Sequence, residues 1–391
     1  MLVIILLTAI LLGFGMYEFA MHRRRVLAIP IRIHVNGTRG KSSVTRLIAS
    51  GLRAGGIRTL AKVTGTLPRI IDEKGMEVPI TRIHMVNIIE QIKVFRYFAK
   101  KHPQAIVMEC MAVQPEYQWI CEHQFVRATV GVITNARMDH VREMGPHLDN
   151  IAMSLSNTIP SNAKVFSAEN RPRLMHFMYE RAEESGSDFV VTVPSEINDD
   201  CMRRFSYIEH PSNVSLALRV CEEFGIDRET ALDGMVKAYP DPGALYVHRV
   251  TLGNKQVMFL NALAANDPES TFMAWQRARE LYPLSGKRIL LLNTRGDRFD
   301  RSVQLVEMIG LHMKDDFDLL FSMGESTEML TAHIRRSGID PQKVVRLGQV
   351  KPEKAWDAIW ESVEERAFVF ALGNAGHGGL AVTHLFRSRR S

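Results

Sequence analysis

The chain opens with a nearly unbroken apolar run over residues 2–21, and three consecutive arginines follow at 23–25. A run of this length is sufficient for a helix that crosses the hydrocarbon core of a bilayer. A cleaved signal peptide carries its positive charge before the run and a small-residue cleavage site after it, and this segment has neither. We therefore expect a single transmembrane anchor over 1–22, and the positive-inside rule places the rest of the chain in the cytoplasm. A buried helix of a soluble protein is the alternative.

Short apolar runs alternate with amphipathic segments beyond the anchor. In the first half, strands are predicted over 31–35, 58–63, 105–108 and 128–133. Helices are predicted over 41–54 and near 88–95, the second with a buried face formed by Ile88, Ile89, Ile92 and Phe95. In the second half, apolar runs that each end in a polar loop lie at 257–260, 289–292, 319–321 and 368–372.

This alternation predicts an α/β fold with parallel, doubly wound sheets. We expect a P-loop-containing central domain over 30–242 and a smaller Rossmann-like domain over 243–391. The sequence Asp-Pro-Gly at 241–243 has the composition of a turn and is the predicted junction between them.

A glycine-rich loop joins the first predicted strand to the first predicted helix. Residues 36–43, called the phosphate loop below, have the sequence Asn-Gly-Thr-Arg-Gly-Lys-Ser-Ser. Between a strand and a helix, backbone N–H groups of such a loop wrap phosphate oxygens; Lys41 would reach the terminal phosphates and Ser42 would hold Mg²⁺. The complete Walker pattern has a glycine where this chain has Val35. The predicted nucleotide-binding residues are Gly37, Thr38, Arg39, Gly40, Lys41, Ser42 and Ser43.

Polar residues follow the next strands at the point where each strand ends. Glu109 follows one strand, and Asn135, Asp139 and His140 follow another. Because ligands of open α/β sheets collect outside the carboxyl ends of the strands, we expect these residues to share one crevice with the phosphate loop. Oxygen ligands from Ser42 and Glu109, with one imidazole from His140, favour Mg²⁺ or Mn²⁺ over zinc. The alternative is an ordinary strand-end carboxylate and an exposed loop histidine.

Composition and charge exclude several classes of protein. The 391 residues are 46% hydrophobic and 24% charged, which is typical of packed domains and not of disordered or fibrous chains. The four cysteines form no Cys-x-x-Cys pair, which argues against a zinc ribbon, a redox dithiol or a disulfide framework. A net charge of +6 indicates anionic partners. The candidates are nucleic acid, phospholipid, a nucleotide and a polyacid substrate. Nucleic acid is the least supported of them, because aromatic residues are not interleaved with basic clusters.

Arginines in the second half are candidates for substrate binding. Arg295, Arg298 and His377 are expected to bind a carboxylate-bearing substrate or to close over the phosphates, since guanidinium groups match carboxylate geometry. A surface pair between Asp297 and Arg298 is the alternative. The glycine-rich segment 373–379 has the wrong spacing for a dinucleotide fingerprint, which disfavours NAD.

Four motifs resemble those of the Mur ligase family, the ATP-dependent amide ligases that include folylpolyglutamate synthetase. They lie at 36–43, 108–114, 133–140 and 210–217. The resemblance implies that the first motif binds ATP and that Glu109 and His140 hold the divalent metals. It also implies that Asn213 lies on the adenine side, and it makes Lys41, Glu109 and His140 the expected catalytic residues.

The chain departs from the family pattern in three places. No lysine occurs between His140 and Lys164 to match the carbamoylated lysine of many members, and the arginine of the family's Pro-Gly-Arg junction is replaced by Ala244. The family's Asp-Gly-Ala-His-Asn-Pro segment corresponds to 263–268, where Asp267 is the candidate acid. Asp267 and Thr66, which follows the second strand, complete the predicted substrate residues.

A membrane segment stands where peptidoglycan-building members carry an N-terminal domain, an arrangement similar to that of members that polymerise glutamate. The resemblance implies ATP-dependent synthesis of poly-γ-glutamate through an acyl phosphate, with release of ADP and phosphate. The implied partners are glutamate, the growing polymer, other membrane subunits of a synthase or export complex, and further copies of the chain. The alternatives are a P-loop ATPase that energises a membrane complex, a nucleotide-binding scaffold, and a ligase that adds glutamate to folate.

Overall fold

The fold is taken from a computed structural model, which describes residues 1–64, 68–81, 87–194, 197–205, 207, 209–240, 245–263, 265, 267–282, 286–376 and 378–389. Two predicted substrate residues, Thr66 and His377, lie outside the described residues, as does the predicted junction at 241–243. The chain divides into two compact units, one formed by 1–205 with 209–241 and the other by 206–208 with 242–391.

The first unit combines helices with one large sheet. Its described helices are α1 (Leu2–Leu27), α2 (Lys41–Ala54), α3 (Glu90–Ala99), α4 (Pro115–Ile120), α5 (Val141–Met144), α6 (Leu148–Ser156), α7 (Pro172–Glu184), α8 (Asp199–Arg203), α9 (Pro211–Glu223) and α10 (Arg228–Val236). Its described strands are β1 (Ile31–Asn36), β2 (Thr59–Val63), β3 (Arg69–Ile71), β4 (Glu77–Pro79), β5 (Ala105–Glu109), β6 (Val130–Ile133), β7 (Lys164–Ser167) and β8 (Asp188–Val191). A π-helical turn, Cys121–Val126, continues α4.

The strands of this unit lie in the order β4-β3-β2-β5-β1-β6-β7-β8. Neighbouring strands from β2 to β8 are parallel, whereas β3 and β4 add an antiparallel edge. Val35 lies beside Glu109 and Asn36 lies beside Ile133, so that β1, β5 and β6 end at the same edge. The order of the strands therefore brings together the loops that carry the predicted site.

The first helix is longer than the predicted anchor. α1 is apolar and long enough to cross a membrane, and residues 1–20 are exposed. From His22 onward the same helix packs against the first unit: Val26 is fully buried, and the His22 ring meets Phe95 and Phe125 edge-on. His22 Nε2 also lies 2.9 Å from the Phe125 carbonyl oxygen. The apolar segment thus continues into the folded unit without a break in the helix.

The buried face of α3 differs from the prediction. The helix begins at Glu90, and its buried residues are Gln91, Val94, Phe95 and Phe98. Of the predicted face only Phe95 is buried within α3, whereas Ile89 precedes the helix and is 51% exposed. The reason is the end of α1, because Val26 and the following Ile29 join the same apolar cluster as Val94, Phe95 and Phe98.

The second unit is a smaller α/β fold of the predicted class. Its described helices are α11 (Pro268–Leu281), α12 (Phe299–His312), α13 (Thr327–Arg336), α14 (Pro352–Ser362) and α15 (Gly379–Ser388). Its described strands are β9 (Tyr246–Leu252), β10 (Lys255–Asn261), β11 (Lys287–Thr294), β12 (Leu319–Gly324), β13 (Val344–Gly348) and β14 (Arg366–Gly373). They lie in the order β13-β12-β11-β14-β10-β9, and all neighbours are parallel except β9 with β10.

Apolar clusters cover both faces of this second sheet. Trp275 and Phe370 lie in one cluster with residues of α11 and α12, and Phe259 and Phe386 lie in the other with residues of α14 and α15. A parallel sheet that is buried on both faces reads as continuous apolar runs, which explains why β10, β11, β12 and β14 were visible in the sequence.

Candidate active site

The loop between β1 and α2 depends on two glycines with positive φ. Gly37 has φ of 133° and Gly40 has φ of 81°. A Cβ atom at Gly40 would lie 2.6 Å from Asn213 Oδ1, and one at Gly37 would overlap Thr134 Oγ1. Larger residues at either position would therefore meet both backbone strain and a steric clash. Only glycine lets the backbone of the loop pass this close to Thr134 and Asn213. The N–H groups of the loop therefore lie at the start of α2.

Lys41 lies folded over this loop. Its Nζ atom donates to the Gly37 carbonyl oxygen at 2.6 Å, and it lies 3.4 Å from the Thr38 carbonyl oxygen. Burial lowers the pKa of Lys41, and the nearby Glu109 carboxylate acts in the opposite direction. The ammonium group is thus held among carbonyl dipoles at the N-terminus of α2, where phosphate oxygens would be stronger partners.

Asn135 holds the loop in shape. Its Oδ1 atom accepts from Thr38 Oγ1 at 2.8 Å and from the Arg39 N–H at 3.1 Å, and its Nδ2 atom donates to the Arg39 carbonyl oxygen at 3.1 Å. The Asn135 carbonyl oxygen also accepts from the Thr38 N–H at 2.9 Å. The sequence placed Asn135 in the crevice, and the structure shows it bonded to the phosphate loop from the adjacent strand end.

Ser42 and Glu109 meet at the start of α2. Ser42 Oγ donates to Glu109 Oε2 at 2.9 Å, and the Thr64 N–H donates to the same oxygen at 2.6 Å. Glu109 is buried, with 2% of its surface exposed. These hard oxygen donors suit Mg²⁺ or Mn²⁺. Within the described residues, no group of three or more His, Cys, Asp or Glu side chains could bind a metal by itself. Water molecules and phosphate oxygens would supply further ligands, as is usual for Mg²⁺.

Glu109→Gln is expected to weaken Mn²⁺ binding by at least about 100-fold in the presence of a non-hydrolysable ATP analogue, because it removes the charge of the buried carboxylate predicted to bind the metal. Calorimetric titration of Mn²⁺ measures this effect. Glu116→Gln, the same change at an exposed position of α4, is the matched control and should bind Mn²⁺ as the native chain does. Equal affinity of the two variants would remove Glu109 from the metal site.

His140 lies beside Asp139. Its backbone has φ of 50° and its N–H donates to Asp139 Oδ1 at 2.9 Å. Its Nε2 atom lies 3.7 Å from Asp139 Oδ2, and its Nδ1 atom lies 3.9 Å from Glu143 Oε2. Asp139 Oδ2 also lies 3.2 Å from Arg39 Nη2. Asp139 therefore links the phosphate loop to His140, and the role of His140 as a metal ligand stays a prediction.

Two carboxylates were missed in the sequence. Glu209 is buried, and its Oε1 atom accepts from Asn213 Nδ2 at 2.8 Å and from the His210 N–H at 2.9 Å. It thereby orients Asn213, whose side chain lies against Gly40. An acidic residue directly before the His-Pro-Ser-Asn segment is the signal that could have pointed to it.

Glu169 follows β7 at the same sheet edge. Its Oε2 atom accepts from the Ala136 N–H at 2.9 Å, and its Oε1 atom accepts from Arg171 Nε at 2.7 Å. Burial by itself would raise the pKa of Glu169, but the bonds from Arg171 and Ala136 outweigh burial and lower it. The ionised carboxylate therefore fixes the segment that leads from Asn135 to His140. In the sequence, only the position of Glu169 shortly after a strand end could have indicated that it lies near the site.

A buried ion pair lies beneath the phosphate loop. His34 Nδ1 is 2.8 Å from Glu122 Oε2, and both side chains are almost completely buried. Burial by itself lowers the pKa of His34, but contacts with Cys110 and Glu122 outweigh burial and raise it to about 10. Strand β1, which delivers the loop, thus contains a protonated histidine held by the π-helical turn.

The arginines of the second unit surround a small cavity at the carboxyl edge of its sheet. Arg295, Arg298 and Arg301 line it together with Asn293 and Asn374. The structure pairs Asp297 with Arg295, not with Arg298 as the surface-pair alternative had it: Arg295 Nη2 lies 2.6 Å from Asp297 Oδ2. This contact lowers the pKa of Asp297.

Asp267 lies at the N-terminus of α11. It is buried, and its side chain accepts from the Ser270 N–H at 2.9 Å as the helix cap. This contact explains its conformation. Substrate contacts of Asp267, Arg295 and Arg298 stay predictions.

Family models match both units. Residues 35–239 match the Mur ligase middle domain, and residues 247–389 match the poly-gamma-glutamate synthase CapB C-terminal domain. The chain is 36% identical over 376 residues to the capsule biosynthesis protein CapB of Bacillus anthracis, covering 95% of this chain and 79% of that protein. It is 34% identical over 380 residues to the PGA synthase CapB of Bacillus subtilis, and the match covers 97% of this chain and 95% of that protein.

Solved structures share the fold at low sequence identity. Escherichia coli FolC in complex with DHPP and ADP superposes with a TM-score of 0.71 at 16% identity, covering 96% of this chain and 93% of that chain. The Yersinia pestis bifunctional folylpolyglutamate synthase/dihydrofolate synthase, complexed with AMPPNP and Mn ion, superposes with a TM-score of 0.71 at 14% identity. The match covers 95% of this chain and 92% of that chain.

Proposed function

Because this chain belongs to the Mur ligase family and is an ATP-dependent amide ligase, we propose that it joins glutamate residues into poly-γ-glutamate. Its identity of 36% over 95% of its length to a capsule biosynthesis protein is the observation that carries the proposal. The phosphate loop, with Lys41 and the Ser42–Glu109 contact at the start of α2, supports the chemistry. The relatives with bound ADP or AMPPNP and Mn support ATP and a divalent metal as the cofactors.

The first step of the proposed reaction brings two anions together. A carboxylate oxygen of the substrate attacks the γ-phosphorus of ATP, an O–P bond forms, the bond to the β-phosphate oxygen breaks, and ADP leaves. The product is an acyl phosphate. Lys41 and the N–H groups of the loop offset the repulsion between carboxylate and triphosphate. Ser42 and Glu109 would hold the divalent metal, which neutralises phosphate charge when bound.

The second step forms the amide. The neutral amine of the incoming glutamate attacks the acyl carbon, giving a tetrahedral intermediate. The C–O bond to phosphate then breaks, and the nitrogen loses a proton to give the amide and inorganic phosphate. No covalent enzyme intermediate is required. The arginine cluster of the second unit, Arg295, Arg298 and Arg301, supplies guanidinium groups suited to the carboxylates of glutamate or polymer.

Helix α1 supports the proposed location of the protein. An exposed apolar helix followed by Arg23, Arg24 and Arg25 supports a single-pass anchor in the cell membrane with both units in the cytoplasm. An acidic capsule polymer made there has to cross the bilayer, and the one candidate membrane helix among the described residues makes no channel. We therefore include separate membrane subunits for export, and self-association, in the proposal.

Product analysis tests this proposal. The full chain, with its membrane partners where required, is incubated with ATP, Mg²⁺ and isotopically labelled glutamate, and the product is fragmented in a mass spectrometer. We expect γ-linked glutamate oligomers and one ADP for each amide bond. ATP turnover that is independent of glutamate and gives no amide would favour the ATPase alternative. Glutamate transfer to an added pteroate acceptor alone would favour the folate-type ligase.

A further inference from the structure

A cavity with a strongly basic lining lies where the anchor helix enters the first unit. Its volume is about 540 Å³, and its lining residues are Arg25, Arg96, Ala99, Lys100 and His102. We call these five residues the basic site. None of its described lining residues is acidic, and it shares no lining residue with the phosphate loop or with the arginine cluster of the second unit.

With α1 inserted as proposed, the basic site would lie at the level where a bilayer meets water. Arg25 follows Met21, the last residue of the apolar run, by four residues, which corresponds to about 6 Å along a helix. Glu18, near the end of the same run, lies 3.3 Å from Arg96 Nη2. This ion pair brings α3 alongside the end of the anchor. Lys100 is one helical turn beyond Arg96, so that it lies on the same side of α3.

The basic site cannot move independently of the anchor. α1 passes into the first unit as one helix, and His22, Val26 and Ile29 are buried there. Phe95 contacts His22 within the same packing. Since the helix is continuous and its last turns are packed, insertion of α1 would hold Arg25 and Lys100 at the membrane surface.

The charges of the basic site are incompletely balanced. Arg96 pairs with Glu18, whereas no carboxylate in the described part of the chain pairs with Arg25 or Lys100. Arg25 and Lys100 thus place two positive charges beside an open cavity near the end of the anchor. Their charge is complementary to that of a phosphate group fixed at the membrane surface.

We propose that the basic site binds the headgroup of an anionic phospholipid in the cytoplasmic leaflet. The ligand is the lipid phosphodiester together with its net negative charge, held by Arg25 and Lys100. This inference rests on the membrane anchor of the proposed function, but it does not depend on the ligase reaction. Bound lipid would set the depth and rotation of α1 in the bilayer.

Lipid selectivity of the full chain tests the proposal. The native chain is reconstituted in nanodiscs of phosphatidylcholine with spin-labelled phosphatidylglycerol or spin-labelled phosphatidylcholine, and the immobilised fraction of each label is measured without ATP or glutamate. We expect a preference for phosphatidylglycerol. Arg25→Gln and Lys100→Gln should each reduce this preference by up to about 5-fold, the effect of one basic residue near an anionic surface.

Lys93→Gln is the matched control, because it removes one charge from an exposed position of α3 outside the basic site. It should leave the preference within about 2-fold, and Lys100→Arg should preserve it. Equal immobilisation of both lipids by the native chain, or an equal loss in Lys93→Gln, would overturn the proposal. Displacement of the lipid by millimolar inorganic phosphate would replace it with a soluble anion site.

Two further outcomes separate this inference from the proposed function. Failure of the native chain to insert into nanodiscs would remove the anchor and the lipid site together, while leaving ligase activity measurable. Lipid selectivity in a chain that forms no γ-glutamyl product would support the basic site and overturn the ligase proposal alone.

Discussion

Lys41→Ala is expected to lower kcat for amide formation by about 100- to 1,000-fold, the usual effect of removing one preorganised group that stabilises developing charge. In the proposed reaction a carboxylate approaches a triphosphate, and Lys41 places an ammonium group over the phosphate loop. Its Nζ atom lies 2.6 Å from the Gly37 carbonyl oxygen and 3.4 Å from the Thr38 carbonyl oxygen, both in the loop itself. Glutamate-dependent ADP release and polymer yield measure the effect.

The same substitution should leave the fold intact. The loop keeps its contacts to Asn135, and the melting temperature should match that of the native chain. Lys354→Ala, an exposed lysine of α14, is the control for the loss of a positive charge and should retain full activity. Unchanged polymer output in Lys41→Ala would instead favour the nucleotide-binding scaffold.

Glu122→Gln is expected to lower the free energy of unfolding by about 3–5 kcal/mol, because it leaves the His34 charge buried without its ionic partner. His34 and Glu122 are 2.8 Å apart, with side chains 0% and 1% exposed. Glu122 Oε1 also accepts from the Ala128 N–H at 2.8 Å. Chemical denaturation of the first unit measures the change, and Glu116→Gln in the adjoining α4 should leave stability unchanged.

The pH dependence gives a second readout of the same pair. His34 has a pKa of about 10 in the folded chain against 6.5 as its ordinary value. A histidine with a raised pKa stabilises the folded state fully below its ordinary pKa, and this contribution is lost as the pH rises through the folded value. The stability contributed by His34 should therefore be lost as the pH rises from 6.5 to about 10. Glu122→Gln should show less of this loss, because the carboxylate that helps raise the His34 pKa is absent.

A double variant provides the internal check. Replacing both His34 and Glu122 with glutamine removes the charge together with its partner, and it should recover part of the stability lost in Glu122→Gln. If the losses of unfolding free energy in the two single variants simply add in the double variant, and the pH profile is unaltered, the two side chains do not stabilise each other.

Local patterns predicted the strands β1, β2, β5 and β6 and the helices α1, α2 and α3 of the first unit, but not its other described elements. The helix over 41–54 matches α2 at both ends, and the predicted strand ends place Glu109 and Asn135 at the edge where the structure has them. These features depend on apolar periodicity and on glycines within a few residues of one another. The short edge strands β3 and β4, and β13 in the second unit, were missed because three to five residues with partly exposed side chains carry little periodicity.

The buried face of α3 and the contacts around the site could not be predicted in the same way. Periodicity shows that a helix has an apolar face, but the neighbour selects which residues of an apolar-rich segment form it. The end of α1 makes that choice for α3 through Val26 and Ile29. Likewise, Glu209 is recognisable as a positioning residue only after α9 has brought Asn213 against Gly40.

The sequence by itself determined the apolar N-terminal segment, the α/β class, the phosphate loop and the strand ends, because each is encoded by residues close together in the chain. Only the tertiary structure decided the pairing of Ser42 with Glu109, of His34 with Glu122 and of Arg96 with Glu18. The partners in these pairs are separated by 67 to 88 residues. Strand order, sheet register and helix packing set such distances, and these depend on the whole buried core and not on any local pattern.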